Sequence, residues 1–246
     1  MGLSADLASE RVLSEGDEWQ SWRALRLAGD DPGDLPPLPG QDPTGGFVGP
    51  SGRLSAGATA ASLCHLVVLS LGKTPFAVVA ADWIDDARTP AGAWLDAPDD
   101  VPGLLDDPAG ARVWATAASA AALLSVGRDP GRRAIDLLRG EADVNGRFTG
   151  GAYPTFAAAA AYWLVEGPKT EMAEWALRWA REFNDEWEPA ERVTALTFWA
   201  AARVPAEHHS VEMFLDALTG EAPPEGWESN LELTLRALEL MRRFGA

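Results

Sequence analysis

Carboxylates supply most of the side chains in this sequence that could do chemistry. Asp30, Asp31 and Asp34 spell D-D-x-x-D, a spacing that can hold magnesium around a diphosphate when a rigid helix presents it to a pocket. Pro32 and Gly33 fall inside it, and Gly29 to Gly46 is rich in Gly, Pro and Asp, so the stretch reads as a loop. A second acidic set, Asp82, Asp85, Asp86, Asp96, Asp99, Asp100, Asp106 and Asp107, surrounds the longest insertion, at about residues 85–111. Such oxygen ligands suit magnesium or calcium, but the spaced pattern of a calcium loop is missing and prolines and glycines interrupt the run. A solvated loop is the expected reading and no cofactor is expected, with magnesium the ion to test at this acidic loop. Cys64 and His65 are neighbours on a helical run and point about 100° apart, so they do not readily share an ion. There is no Gly-rich phosphate loop before a lysine, no G-x-S-x-G elbow and no cysteine nucleophile with a partner.

The elements that would position these groups recur. Phe47, Trp94, Phe148, Trp187 and Trp227 each sit beside a glycine or acidic turn, and each is followed by a threonine that opens an apolar run: Thr59, Thr116, Thr155, Thr194 and Thr234. From Trp187 to Thr194, as from Phe148 to Thr155 and Trp227 to Thr234, the two are seven residues apart; the first two units stretch the spacing with loops. A period of roughly 40 to 50 residues with two helical runs per unit means that each unit packs against its neighbours, so the array must close or be capped. Helices are expected over Gly57–Leu71, Thr74–Ala87, Val113–Val126, Gly131–Arg139, Thr155–Val165, Thr170–Asn184, Glu191–Ala202, Ser210–Thr219 and Asn230–Phe244, after one or two from about residue 4 to 28. Ser210 and Asn230 are expected N-caps.

Gln41, Gly45 and Phe47 together spell the repeat Q-x-x-x-G-x-F, and the other units keep it in degenerate form. This phrasing resembles the α/α-toroid family of protein prenyltransferase β subunits and squalene and class II terpene cyclases. The resemblance runs over about residues 10 to 244. It implies an all-α fold, an α/α toroid of about five to six helix pairs in a single domain spanning 1–246. It also allows two chemistries to be tested. The prenyltransferases hold zinc with an aspartate, a cysteine and a histidine, and no such set can be matched here, so no metal ligands are assigned. The class II cyclases place D-x-D-D just before the threonine of an inner helix; only Glu232, before Thr234, puts a carboxylate in the acid's slot, which makes it the candidate general acid.

In such a toroid the N-termini of the inner helices ring one mouth, where free amides and helix dipoles favour an anion. Arg53, Arg112, Trp114, Tyr153 and Arg192 fall at those positions and would suit a diphosphate head with an apolar tail below it. The leading expectation is a hydrophobic, isoprenoid-type ligand in the central cavity, with terpene cyclase-like or prenyltransferase-like chemistry. The alternative is a non-enzymatic scaffold that binds a protein partner. A throat plugged by Trp114, Tyr153, Trp163 or Trp199 would favour the alternative. A formal charge of −17 and a pI near 4.5 argue against nucleic acid. No apolar run approaches the ~20 residues of a membrane span, and MGLSADLASE lacks the basic and apolar segments of a secretory signal, so a cytoplasmic protein is expected.

Overall fold

The computed structural model describes residues 4–103, 107–168, 170–223, 226–227 and 230–245, and Asp106 of the acidic set lies outside them. Helices α1 (Ala5–Glu15) and α2 (Glu18–Ala28) come first. A hairpin of β1 (Phe47–Val48) and β2 (Leu54–Ser55) then leads into α3 (Ala56–Val68). From there inner and outer helices alternate. The inner ones are α3, α5 (Pro108–Ser125), α7 (Ala152–Glu166), α9 (Pro189–Ala201) and α11 (Leu231–Phe244). The outer ones are α4 (Pro75–Asp86), α6 (Arg132–Gly140), α8 (Glu171–Glu182) and α10 (His209–Glu221).

The repeat has a hydrogen-bond basis. Thr59 Oγ1 donates back to the Ser55 carbonyl (2.7 Å) and accepts the Phe47 N–H (2.8 Å), tying the loop aromatic to the first turn of the inner helix. Thr155 does the same for Phe148 (2.9 Å), Thr234 for Trp227 (3.0 Å), and Thr116 accepts the Trp94 N–H (3.2 Å). These amides are buried or nearly so, and the threonine hydroxyl satisfies a group that would otherwise be costly to bury. The glycine two residues before the aromatic lets the loop touch the next outer helix. A Cβ on Gly45 would lie 2.3 Å from the Val79 carbonyl oxygen of α4, and one on Gly146 would lie 2.4 Å from the Trp175 carbonyl carbon of α8. Gln41 reaches the same helix, donating to the Phe76 carbonyl at 3.0 Å.

The fourth unit departs from this pattern. The Trp187 N–H is taken by the Asn184 carbonyl in a short 3₁₀ turn, and Thr194 turns outward to the Ala190 carbonyl. Ser210 is likewise not an N-cap: it sits within α10 and donates to the Leu177 carbonyl, while His208 Nδ1 accepts the Ser210 N–H. Asn230 is the cap of α11, accepting the Leu233 N–H at 2.9 Å.

The inner helices follow an arc in which α3 packs on α5, α5 on α7, α7 on α9 and α9 on α11. Helix α3 also packs directly on α9, so the first four inner helices close on one another. Alanine makes this approach possible, because a methyl side chain keeps helix axes close while favouring helix. Ala117, Ala118, Ala120, Ala157, Ala158 and Ala160 are all fully buried.

Candidate functional site

The mouth formed by the inner-helix N-termini is filled by the chain itself. Trp114 is 1% exposed, with edge-on contacts to Tyr153 (6.0 Å between ring centroids) and Phe198 (5.7 Å). Phe156 packs edge-on against Tyr153, Trp187, Trp199 and Phe214. Burial, with the nearby Glu191, pushes the Tyr153 hydroxyl up to about 12, so it stays protonated and neutral.

The free amides expected at this mouth are largely occupied by side chains. Asp96 accepts the N–H groups of Ala56 (2.8 Å) and Gly57 (2.7 Å) and the Ser55 hydroxyl (2.9 Å) at the start of α3. Asp107 accepts the Ala109 and Gly110 N–H groups at the start of α5, Glu191 Oε2 accepts the Glu188 N–H at α9, and Asn230 serves α11. Only α7, which begins after Gly151, has no side-chain cap among these five. Asp96 was read as a solvated loop acid; its place at the N-terminus of α3 has no local sequence signal, since its partners lie about 40 residues earlier. Burial raises its affinity for a proton, against the three hydrogen bonds that favour the carboxylate.

The three candidate arginines do not converge on a vacant anion site. Arg53 is exposed on the hairpin and pairs with Asp99 (3.1 Å) and Asp100 (3.5 Å). Arg112 pairs with Glu141 at 2.8 Å, and the buried Arg192 pairs with Glu221 at 2.5 Å while donating to the Asn184 carbonyl. The acidic insertion is also committed: Asp82 and Asp85 face Arg128, and Asp99 and Asp100 face Arg53. No group of three or more acidic, histidine or cysteine side chains placed to hold a metal occurs among the described residues.

Glu232 lies elsewhere, in a charged seam where α2 and α3 meet α11. Arg23, 1% exposed, makes a bidentate pair with Glu239 (2.7 and 2.8 Å) and donates a third bond to Glu232 (2.7 Å). Arg236 takes the other Glu232 oxygen at 2.8 Å. Burial alone would raise both carboxyls, but Arg23 first, aided by Arg236 at Glu232, holds each at about 2. Glu232 is therefore a committed carboxylate in this structure, the opposite of the protonated form that a general acid needs. His65 Nε2 meets Glu239 at 2.8 Å. Burial and the facing Arg236 and Arg23 push His65 down to about 4, so it is neutral near pH 7 and donates a hydrogen bond to Glu239. The available sequence signal was Glu239, a charge four residues after Leu235 on the buried stripe of α11.

Two clefts flank this seam. One of about 320 Å³ is lined by Trp19, Leu38, His65, Glu232 and Arg236. The other, about 290 Å³, lies at the C-terminal end of α3 and is lined by Arg26, Val68, Leu69, Arg242 and Arg243 over the Arg23–Glu239 pair.

An all-α single domain with alternating inner and outer helices defines a terpene cyclase-like helical fold. Among solved structures it is similar to a protein from Actinoplanes, with a TM-score of 0.54 and 18% identity, covering 100% of this chain and 92% of that one. It is also similar to a variant of the type II terpene cyclase MstE from Scytonema in complex with its substrate geranylgeranyl dihydroxybenzoate, with a TM-score of 0.51 and 14% identity, covering 98% and 86%. At these identities the likeness is one of fold. No protein-family model matches the chain, and no curated protein matches it in sequence. No helix among the described residues is long and apolar enough to cross a membrane.

Proposed function

We propose that this chain is a non-enzymatic scaffold of terpene cyclase-like fold, working through its outer surface and the clefts beside α11. The observation that carries this reading is the closed centre: α3 packs on α9, and Trp114, Phe156 and Trp199 fill the space beneath the mouth. A cyclase or transferase needs room there for an extended polyene, and this chain fills that room with its own side chains. The paired states of Arg53, Arg112, Arg192 and Glu232 support the same reading.

A second reading rests on Asp96. Its carboxyl sits at the mouth near Trp114, whose buried indole N–H has no partner among the described residues, and burial raises its proton affinity. If the aromatic plug opens around a prenyl chain, Asp96 is the better-placed acid, with Trp114 and Tyr153 as walls and Arg112 and Arg192 on the rim. The test is incubation with farnesyl and geranylgeranyl diphosphate and with a geranylgeranylated aromatic acid, with product analysis by mass spectrometry. The scaffold reading expects unchanged substrates. Turnover abolished by Asp96→Asn would overturn it in favour of the second, and turnover abolished by Glu232→Gln would restore the acid role first read from its position.

A further inference from the structure

We infer that the cleft beside the C-terminal ends of α2, α3 and α11 is a binding site for a single-chain amphiphile with one anionic head group, such as an alkyl phosphate or a fatty carboxylate. This goes beyond the scaffold reading and stands whether or not the toroid centre is catalytic.

The head-group end is the 290 Å³ cleft that Arg26, Arg242 and Arg243 line. In a chain with 37 acidic and 20 basic residues, most arginines have an acid to face. These three make no ion pair with a carboxylate among the described residues. The acid within the cleft, Glu239, is already claimed by Arg23 and His65. Arg242 spends Nη1 on the Arg26 and Leu27 carbonyls that end α2, which explains one of the three cations as a helix cap. Arg26 has no such explanation. Its guanidinium lies 5.4 Å from the Trp22 ring centroid, and its Nη1 is buried with no hydrogen-bond partner among the described residues. A buried donor without an acceptor is costly, as is the mutual repulsion of three clustered cations, and an anionic group that accepts from Arg26 and Arg243 relieves both.

The tail end is a groove of about 560 Å³ between α1 and α11, which shares Leu27 and Arg242 with the cleft. Leu13, Leu27, Leu238 and Met241 give it an apolar wall, and Leu13 is 41% exposed among the described residues. The exposed Asp6 and Glu10 also line this groove and repel a second acidic group, so the occupant is anionic at one end only. Charge complementarity at one end and apolar surface at the other select an amphiphile over a free anion or a neutral hydrocarbon.

The test is calorimetric titration of the full chain, below each ligand's critical micelle concentration, with dodecyl phosphate, dodecanoate, neutral dodecanol and inorganic phosphate. The expected result is 1:1 binding of dodecyl phosphate or dodecanoate, at least tenfold tighter than that of dodecanol or of phosphate alone. The Arg26→Gln/Arg243→Gln double variant should lose at least tenfold in affinity while its melting temperature stays within a few degrees, Arg243 being exposed and Arg26 partly so, with no ion pair to lose among the described residues. The tighter of the two anionic ligands names the head group. No saturable binding of either, equal binding of inorganic phosphate, or binding unchanged in the double variant would each overturn the inference.

Discussion

Helices α3, α5, α7 and α9 are joined by alanine methyls and aromatic edges, whereas α11 is joined to α2 and α3 through a network of five charged or titratable side chains, the buried Arg23, His65 and Glu239 and the partly exposed Glu232 and Arg236. The first kind of contact is non-directional and indifferent to pH and salt. The second is directional: Arg23 presents its flat guanidinium to Glu239 in one orientation only, and any slip of α11 along its axis breaks both bonds. A buried ion pair adds little net stability over an apolar pair of the same volume, so its gain is register. The toroid thus has a centre that is stable by packing and a closing seam that is fixed by charge.

Removing one partner from the seam should have the largest effect. Arg23→Leu leaves Glu239 buried without its cation, and about 3–5 kcal/mol of stability should be lost. Urea unfolding would read this directly. Adding Glu239→Leu to the same chain should recover much of the loss, because the uncompensated charge is then gone; a double variant no more stable than the single one would show that the pair contributes net energy.

The next effect is a pH dependence that the seam contributes. His65 has its folded value depressed to about 4 from an ordinary 6.5, so between those values the unfolded chain takes up a proton that the folded chain refuses. Stability therefore falls as pH drops from about 6.5 to 4, by on the order of 3 kcal/mol for this one group. Glu232 and Glu239, depressed from 4.5 to about 2, add a further loss as pH falls from 4.5 towards 2. His65→Gln, which can still donate to Glu239, should flatten the upper part of this profile and leave the lower part. An unchanged slope between pH 6.5 and 4 in that variant would mean that His65 is protonated in the fold.

The two regions also differ in how far the sequence discloses them. The repeat was readable because its parts are local and recur: a glycine that lets the loop reach an outer helix, an aromatic, and a threonine at the head of the next helix. The eleven helices of the described residues follow, with ends shifted by a few residues. Asn230 as a cap was legible from residue type alone, but His208 displaced Ser210 because an imidazole nitrogen can take the same N–H. The closed centre was not legible, since alanine-rich helices suit either a narrow throat or none, and the direct packing of α3 on α9 decides between them. Nor were the partners of Arg53, Arg112 and Arg192, each an acid about 29 to 47 residues away in sequence. Glu239 was visible as a charge on an apolar stripe; its partner Arg23, 216 residues earlier, was not.

The smallest predicted effect separates real repeat from apparent repeat. Thr155 and Thr194 occupy the same place in the sequence pattern, seven residues after an aromatic. Thr155 Oγ1 satisfies the buried Phe148 amide, while Thr194 bonds only the Ala190 carbonyl of its own helix. Thr155→Val keeps the shape and removes the acceptor, so a buried N–H is stranded at a cost of about 1–3 kcal/mol. Thr194→Val strands nothing, because the Trp187 amide already donates to Asn184, and its effect should stay within about 0.5 kcal/mol. Side-by-side urea melts decide it. Equal losses at the two sites would mean that the threonine acts through helix packing rather than through the aromatic amide, and that the fourth unit is built like the others after all.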